Sequence, residues 1–105
     1  MSEEKFDAIV VGAGVAGCVA AYVLAKEGLD VLVIERGNYA GSKNMTGGRL
    51  YAHSLERVMP GFAEEAPVER LVTREKISFI TDDDSVTLDY HTGEAFSAEA
   101  ASYTV

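Results

Sequence analysis

Three glycines in the run Gly12-Ala13-Gly14-Val15-Ala16-Gly17 separate an apolar stretch from an alanine-rich one, and this arrangement limits the fold more than any other feature of the chain. Phe6 to Val11 ends in the continuous apolar run Ala8-Ile9-Val10-Val11, which suits a parallel strand buried on both faces better than a half-exposed alternating one. After the glycines, Val15 to Glu27 is rich in helix formers, with Val15, Val19, Tyr22 and Val23 at helical spacing and Gly28 beyond as a C-cap. Asp30 then introduces Val31-Leu32-Val33-Ile34, a second apolar run of strand length that stops at Glu35-Arg36. The expected element is a βαβ unit over about residues 6–35, the size such a unit requires.

Each glycine has a separate task in a strand-to-helix loop. Gly12 permits the tight turn, Gly14 lets backbone approach a pyrophosphate, and Gly17 lets helix and strand pack closely. The helix N-terminus adds unpaired N–H groups and a partial positive charge, so a diphosphate binds there without a lysine. Glu35 falls at the carboxyl end of the second strand, where an acidic side chain accepts hydrogen bonds from ribose hydroxyls and its charge disfavours a 2′-phosphate. NADP is therefore the least suited dinucleotide. The bland alternative is a flexible glycine-rich turn with a solvent-facing Glu35; strand, helix, capping glycine and acid in register favour the nucleotide site. The candidate cofactor-binding residues here are Gly12, Ala13, Gly14, Val15, Ala16, Gly17, Glu35 and Arg36.

At 105 residues the chain has room for one domain. Nine Lys+Arg against 17 Asp+Glu give a net charge of −8, which repels phosphate backbones and anionic lipid headgroups, so nucleic acid is not an expected partner. Cys18 is the single cysteine, which excludes an internal disulfide or a Cys-rich metal site and fits a reducing cytoplasm. The uncharged run Ala8 to Ala25 reaches the length of a membrane-span candidate. Three internal glycines, each costing about 1 kcal/mol relative to alanine in a helix, argue against that. Glu3, Glu4 and Asp7 outweigh Lys5 where a secretory signal needs positive charge.

Gly37 to Arg49 carries Gly37, Gly41, Gly47 and Gly48 with Asn38, Ser42, Asn44 and Thr46, a glycine-rich loop able to approach a ligand closely, with a plain connection as the alternative. Lys43 and Arg49 are equally readable as phosphate or flavin contacts and as solvated charges. Ala52 to Met59 reads as a short helix stopped by Pro60-Gly61. Val68 to Thr73, Lys76 to Ile80 and Val86 to Tyr90 read as strands, the last two joined by a hairpin turn at Asp82-Asp83-Asp84-Ser85. No metal site is expected: the aspartates read as a solvated turn, and His53 and His91 lack partners at ligand spacing. Cys18 is most simply a small buried core residue.

Asp7 through Glu35 resembles the amino-terminal FAD fingerprint of flavoprotein oxidoreductases, matching at Asp7, Val11, Gly12, Gly14, Gly17, Ala21, Leu24, Ala25, Gly28, Val31, Val33 and Glu35. Ile34-Glu35-Arg36-Gly37 with Gly41 through Tyr51 is narrower and resembles the FixC-like electron-transfer flavoprotein–quinone oxidoreductases, a likeness continued at Pro60-Gly61-Phe62, Ala66 to Arg70 and Ser102 to Val105. The resemblance implies a Rossmann-like α/β fold with FAD as cofactor, followed by a short helix and antiparallel β-strands. It also implies electron transfer from an electron-transfer flavoprotein toward a ferredoxin-like protein or quinone, with peripheral access to the inner membrane face through those partners. It adds Thr46, Gly47 and Gly48 as contacts near the flavin. No catalytic acid or base is assigned.

Members of that family are several times longer, so the resemblance implies an amino-terminal part of an FAD-binding domain, incomplete relative to the family and not catalytically complete alone. Residues 68–105 would then begin a second, β-rich region. Two parallel strands under one helix leave a sheet face uncovered, so Val10, Val11, Leu32 and Ile34 are expected to expose apolar surface and weaken the isolated chain. Two other functions share parts of the pattern: an NAD-binding dehydrogenase half, which leaves Gly41 to Tyr51 unexplained, and a non-enzymatic remnant that keeps the βαβ shape without a cofactor.

Overall fold

The computed structural model describes residues 3–92 and 97–105, and the chain divides into two compact units, residues 1–46 and 47–105. In the first unit, β1 (Ala8–Val11) and β2 (Val31–Ile34) pair in parallel from Ala8↔Val31 to Val11↔Ile34, joined by helix α1 (Val15–Lys26). The two apolar runs are thus strands, and Gly12 to Gly14 form the turn between β1 and α1, with Gly17 already inside the helix. Asp7 ties the entrance: its backbone N–H and that of Ala8 donate to the Asp30 carbonyl, and its carboxylate accepts the Asp30 N–H at 2.8 Å. Gly12 N–H extends the ladder by donating to the Ile34 carbonyl at 2.7 Å.

Helix α1 starts at Gly14 in an extended conformation with no side-chain cap. Its C-terminus is closed by two reciprocal bonds, Gly28 N–H to Ala25 carbonyl and Leu29 N–H to Leu24 carbonyl, with Gly28 at φ +87°. That is the Schellman arrangement, in which a left-handed glycine satisfies the last carbonyls. The packed face differs in part from the expected one, of which Val19 is half-buried. Val15 is 71% exposed, and Tyr22 and Val23 are also exposed, while Gly17, Ala21 and Leu24 are half-buried. Gly17 and Ala21, small residues at i and i+4, bring the helix close to the strands, Leu24 follows at i+7, and Val15 and Tyr22 are left outside.

Neither strand of this unit is buried on both faces. Val11 is 80% exposed, and Ile9 and Ile34 are exposed too, with half-buried Leu32 beside Ile9; on the helix side Val10 is half-buried against Gly17 while its partner Val33 stays partly open. One helix covers one face, so the apolar residues on the other face remain in solvent. Cys18 is exposed rather than buried, its Sγ 3.4 Å from the Ala13 carbonyl oxygen.

The second unit contains a three-stranded antiparallel sheet, in the order β3 (Arg49–Tyr51), β7 (Ser102–Thr104), β4 (Arg70–Leu71). Helix α2 (Ala52–Val58) follows β3 directly, and a single 3₁₀ turn spans Phe62–Glu64. Gly61 makes the stop, at φ +76° with its N–H donated to Glu56 Oε1. The small core is Ala52, Phe62 and Ala101, flanked by Leu50, Leu55, Ala63, Ala66 and Tyr103, with the Phe62 and Tyr103 rings edge to face at 6.2 Å.

Two expectations change in this unit. The strand foreseen at Val68 to Thr73 contracts to Arg70–Leu71, paired with Thr104 and Tyr103, and the flanking Glu69 and Val72 N–H groups donate to the Thr104 and Ser102 carbonyls. The glycine-rich loop ends in a strand, Arg49–Tyr51, paired to the chain's far end. The hairpin is present as β5 (Arg74–Ile80) and β6 (Ser85–His91), its turn closed by Thr81 N–H to the Asp84 carbonyl at 2.8 Å. Ile77, Phe79, Val86, Leu88 and Tyr90 share one face in this register, and all are exposed. The opposite face carries the Arg74–Asp89 ion pair and a Ser78–Thr87 hydroxyl bond.

Candidate nucleotide site

The glycine turn is shaped by contacts that only glycine allows. Gly12 has φ +101°, in the range that favours a residue without Cβ, and nothing lies within 4 Å of the place a Cβ would occupy. A Cβ on Gly17 would collide with the Gly12 carbonyl oxygen and press on Val10 Cγ1 at 3.3 Å. Gly12 thus leaves open space beside the turn, and Gly17 lets the helix close onto the strand.

Glu35 sits where β2 ends and reaches across to the end of β1. Its Oε2 accepts the Ala13 N–H at 2.8 Å, and its Oε1 accepts the Gly37 N–H at 2.7 Å. These two backbone donors, that of Gly37 first, hold the carboxyl below its ordinary pKa; Lys43 adds a smaller push in the same direction. Ala13 N–H is therefore committed to Glu35 and does not face a ligand. Each carboxylate oxygen retains a second acceptor position for a ribose hydroxyl.

Val11, Gly12, Ile34, Glu35, Arg36 and Lys43 line one cleft of about 510 Å³. That volume lies within the about 300–1,000 Å³ usual for small-ligand pockets. Lys43 reaches this cleft, but Arg49 does not act as a free cation. Its guanidinium takes both carboxylate oxygens of Glu75, at 2.5 and 3.3 Å, donates to Ser102 Oγ at 3.1 Å and stacks over Tyr51. Val15 and Ala16 are exposed in the first turn of α1; Thr46 falls at the end of the first unit, and Gly47 and Gly48 open the second. Among the described residues no group of three or more His, Cys, Asp or Glu is placed to hold a metal.

The residues present fit a dinucleotide in three respects: an uncapped helix start, open space at Gly12, and a carboxylate poised beside an apolar cleft. Sequence comparison decides which kind. Residues 7–100 match the FAD dependent oxidoreductase family. The chain belongs to that family. FAD is the cofactor that FAD dependent oxidoreductases share, and it carries no 2′-phosphate to meet the negative charge of Glu35.

Among individual relatives of this FAD dependent oxidoreductase chain, the "Probable electron transfer flavoprotein-quinone oxidoreductase YdiS" of Escherichia coli K12 is 70% identical over all 105 residues. "Protein FixC" of Salmonella typhi is 66% identical and that of Azorhizobium caulinodans 46% identical over the same length. In each case the chain spans 24% of the relative's length. The resemblance of the chain to FixC-like electron-transfer flavoprotein–quinone oxidoreductases is thereby borne out.

Sequence reasoning left Ser42 and Asn44 unassigned beyond their place in the loop. The signal was the polar run Ser42-Lys43-Asn44 set between glycines, whose contact with Gly14 is a tertiary one.

Proposed function

We propose that this chain forms the FAD-binding portion of an oxidoreductase that receives electrons from an electron-transfer flavoprotein and passes them toward a quinone or a ferredoxin-like protein. The observation that carries the proposal is the match over all 105 residues of this chain, at 70% identity, to a relative named as a probable electron transfer flavoprotein-quinone oxidoreductase. The parallel β1–α1–β2 unit with its glycine turn and terminal Glu35 supports a Rossmann-like arrangement. Residues 1–105 are taken as part of one FAD-binding domain, with the hairpin region contributing to its β-rich continuation.

In this function Gly12 and Gly14 bring backbone close to the diphosphate, with Val15 and Ala16 offering N–H groups at the positive end of α1. Glu35 keeps its grip on Ala13 and Gly37 and accepts the adenosine ribose hydroxyls on its remaining lone pairs, while Arg36 borders the same cleft. Thr46, Gly47 and Gly48 are the flavin-side contacts that the family resemblance supplies. The bound flavin would supply the redox chemistry, and the protein's part is placement and electrostatic tuning. Among the described residues no helix is long and apolar enough to cross a membrane, which is compatible with a cytoplasmic protein that meets the membrane face through its partners.

Direct binding of the chain to a purified electron-transfer flavoprotein, followed by surface plasmon resonance with FAD present, tests the partner. Saturable binding supports the proposal; absence of binding by chain that has taken up FAD would remove the electron-transfer flavoprotein as donor.

A further inference from the structure

The glycine turn makes one wall of the cleft, and the segment after β2 makes another. Gly41 donates its N–H to the Ala13 carbonyl at 2.9 Å, fastening this segment to the turn, and Asn44 N–H closes back on the Gly41 carbonyl at 3.0 Å. The Asn44 amide is thereby seated at the start of α1. A Cβ on Gly14 would lie 3.2 Å from Asn44 Oδ1, and one on Gly41 would lie 3.4 Å from Asn44 Nδ2. Lys43 lines the cleft with Gly12, Glu35 and Arg36.

Ser42 completes the segment in an unusual way. Its Oγ is shut away from solvent against Gly37 and has no hydrogen-bond partner among the described residues. A buried hydroxyl without a partner is destabilising, so packing alone does not account for Ser42 at this position. Asn44 at the start of α1 and Lys43 in the cleft put an amide and a cation beside an uncapped helix N-terminus, a combination suited to an anion.

We propose that Lys43 and Asn44 contact the diphosphate of the bound dinucleotide, forming with the glycine turn a two-sided grip on it. This deepens the FAD-binding function and rests on it. Asn44 turns its amide so that Nδ2 donates to a phosphate oxygen, a half-rotation about its last torsion. Lys43 supplies the point charge that the glycine turn lacks.

The test is a flavin-fluorescence titration of the 105-residue chain with FAD, beside Lys43→Gln and Asn44→Asp, with ADP and adenosine as competitors and thermal melts of the unliganded proteins. Asn44→Asp is expected to bind FAD about tenfold more weakly, the scale of one hydrogen bond to a charged group. Its unliganded melting midpoint should hold or rise, because a negative charge favours a helix N-terminus. Lys43→Gln should weaken FAD binding and flatten its salt dependence. In both variants the inhibition constant of ADP should rise and that of adenosine should stay unchanged.

Equal binding by all three proteins overturns the grip, as does a loss that tracks the melting midpoint or extends equally to adenosine. An unsubstituted chain that is folded and binds no FAD removes the dinucleotide site itself, and the grip with it.

Discussion

Glu35 Oε2 accepts the Ala13 N–H at 2.8 Å, so the carboxylate that ends β2 braces the turn that ends β1. The other oxygen holds Gly37, and one side chain thereby fixes both loops that border the cleft. Replacing Glu35 with Gln puts an amide donor opposite one of two backbone donors. FAD affinity measured by fluorescence quenching is expected to fall about tenfold or more in Glu35→Gln. Unchanged affinity would show that the brace does not matter to the site.

Gly17 is a packing glycine rather than a flexible one. A methyl at this position meets the Gly12 carbonyl, and the helix can yield only by moving off the strands. Gly17→Ala should lower the unfolding free energy in urea by about 2 kcal/mol, within the usual range for overpacking. A variant as stable as the parent would mean that α1 sits farther from β1.

Acid should destabilise the chain through three carboxylates. Glu35 is held below its ordinary pKa by the Gly37 and Ala13 N–H groups, Glu75 by Arg49, and Asp89 by Arg74. A depressed folded pKa means that the unfolded chain binds protons first as pH falls, so stability is complete above the ordinary carboxylate range and is lost as pH drops through the folded values. Urea midpoints measured from neutral pH to pH 3 should fall in that window, with Glu35→Gln showing a shallower decline. A flat profile would contradict the shifts.

The hairpin face formed by Ile77, Phe79, Val86, Leu88 and Tyr90 is apolar and open, with Phe79 66% exposed. The isolated chain should bind a hydrophobic dye, melt broadly and self-associate. Phe79→Thr is expected to reduce dye fluorescence and raise solubility while keeping the β-propensity of the strand. A sharp, reversible two-state melt of the monomer would show that this face is covered.

The β1–α1–β2 unit was legible because its signals are local: two apolar runs, a glycine turn, and Gly28 at the end of the helix. The β5–β6 hairpin was legible for the same reason. β3 and β7 were not, since Arg49 pairs with Thr104 across half the chain and three-residue strands carry little pattern of their own. Which face of α1 packs depends on helix-to-strand distance, and that distance put Cys18 outside and Ala21 against the sheet. Glu35 was placed correctly at the end of β2, but its bonds to Ala13 and Gly37 follow from tertiary geometry, as does the seating of Asn44 on Gly14.

The central claim is that the Gly12 to Gly17 turn and Glu35 hold FAD. Titration of the folded chain with FAD, with NAD and NADP as controls and Gly14→Val beside it, tests this most directly. A valine at Gly14 would press on Asn44 Oδ1, 3.2 Å from the Cβ position, and block the approach of the diphosphate. Saturable FAD binding, weaker NAD and NADP binding, and loss of FAD binding in Gly14→Val are the expected result. FAD binding that survives Gly14→Val, or no FAD binding by a folded parent chain, would contradict it.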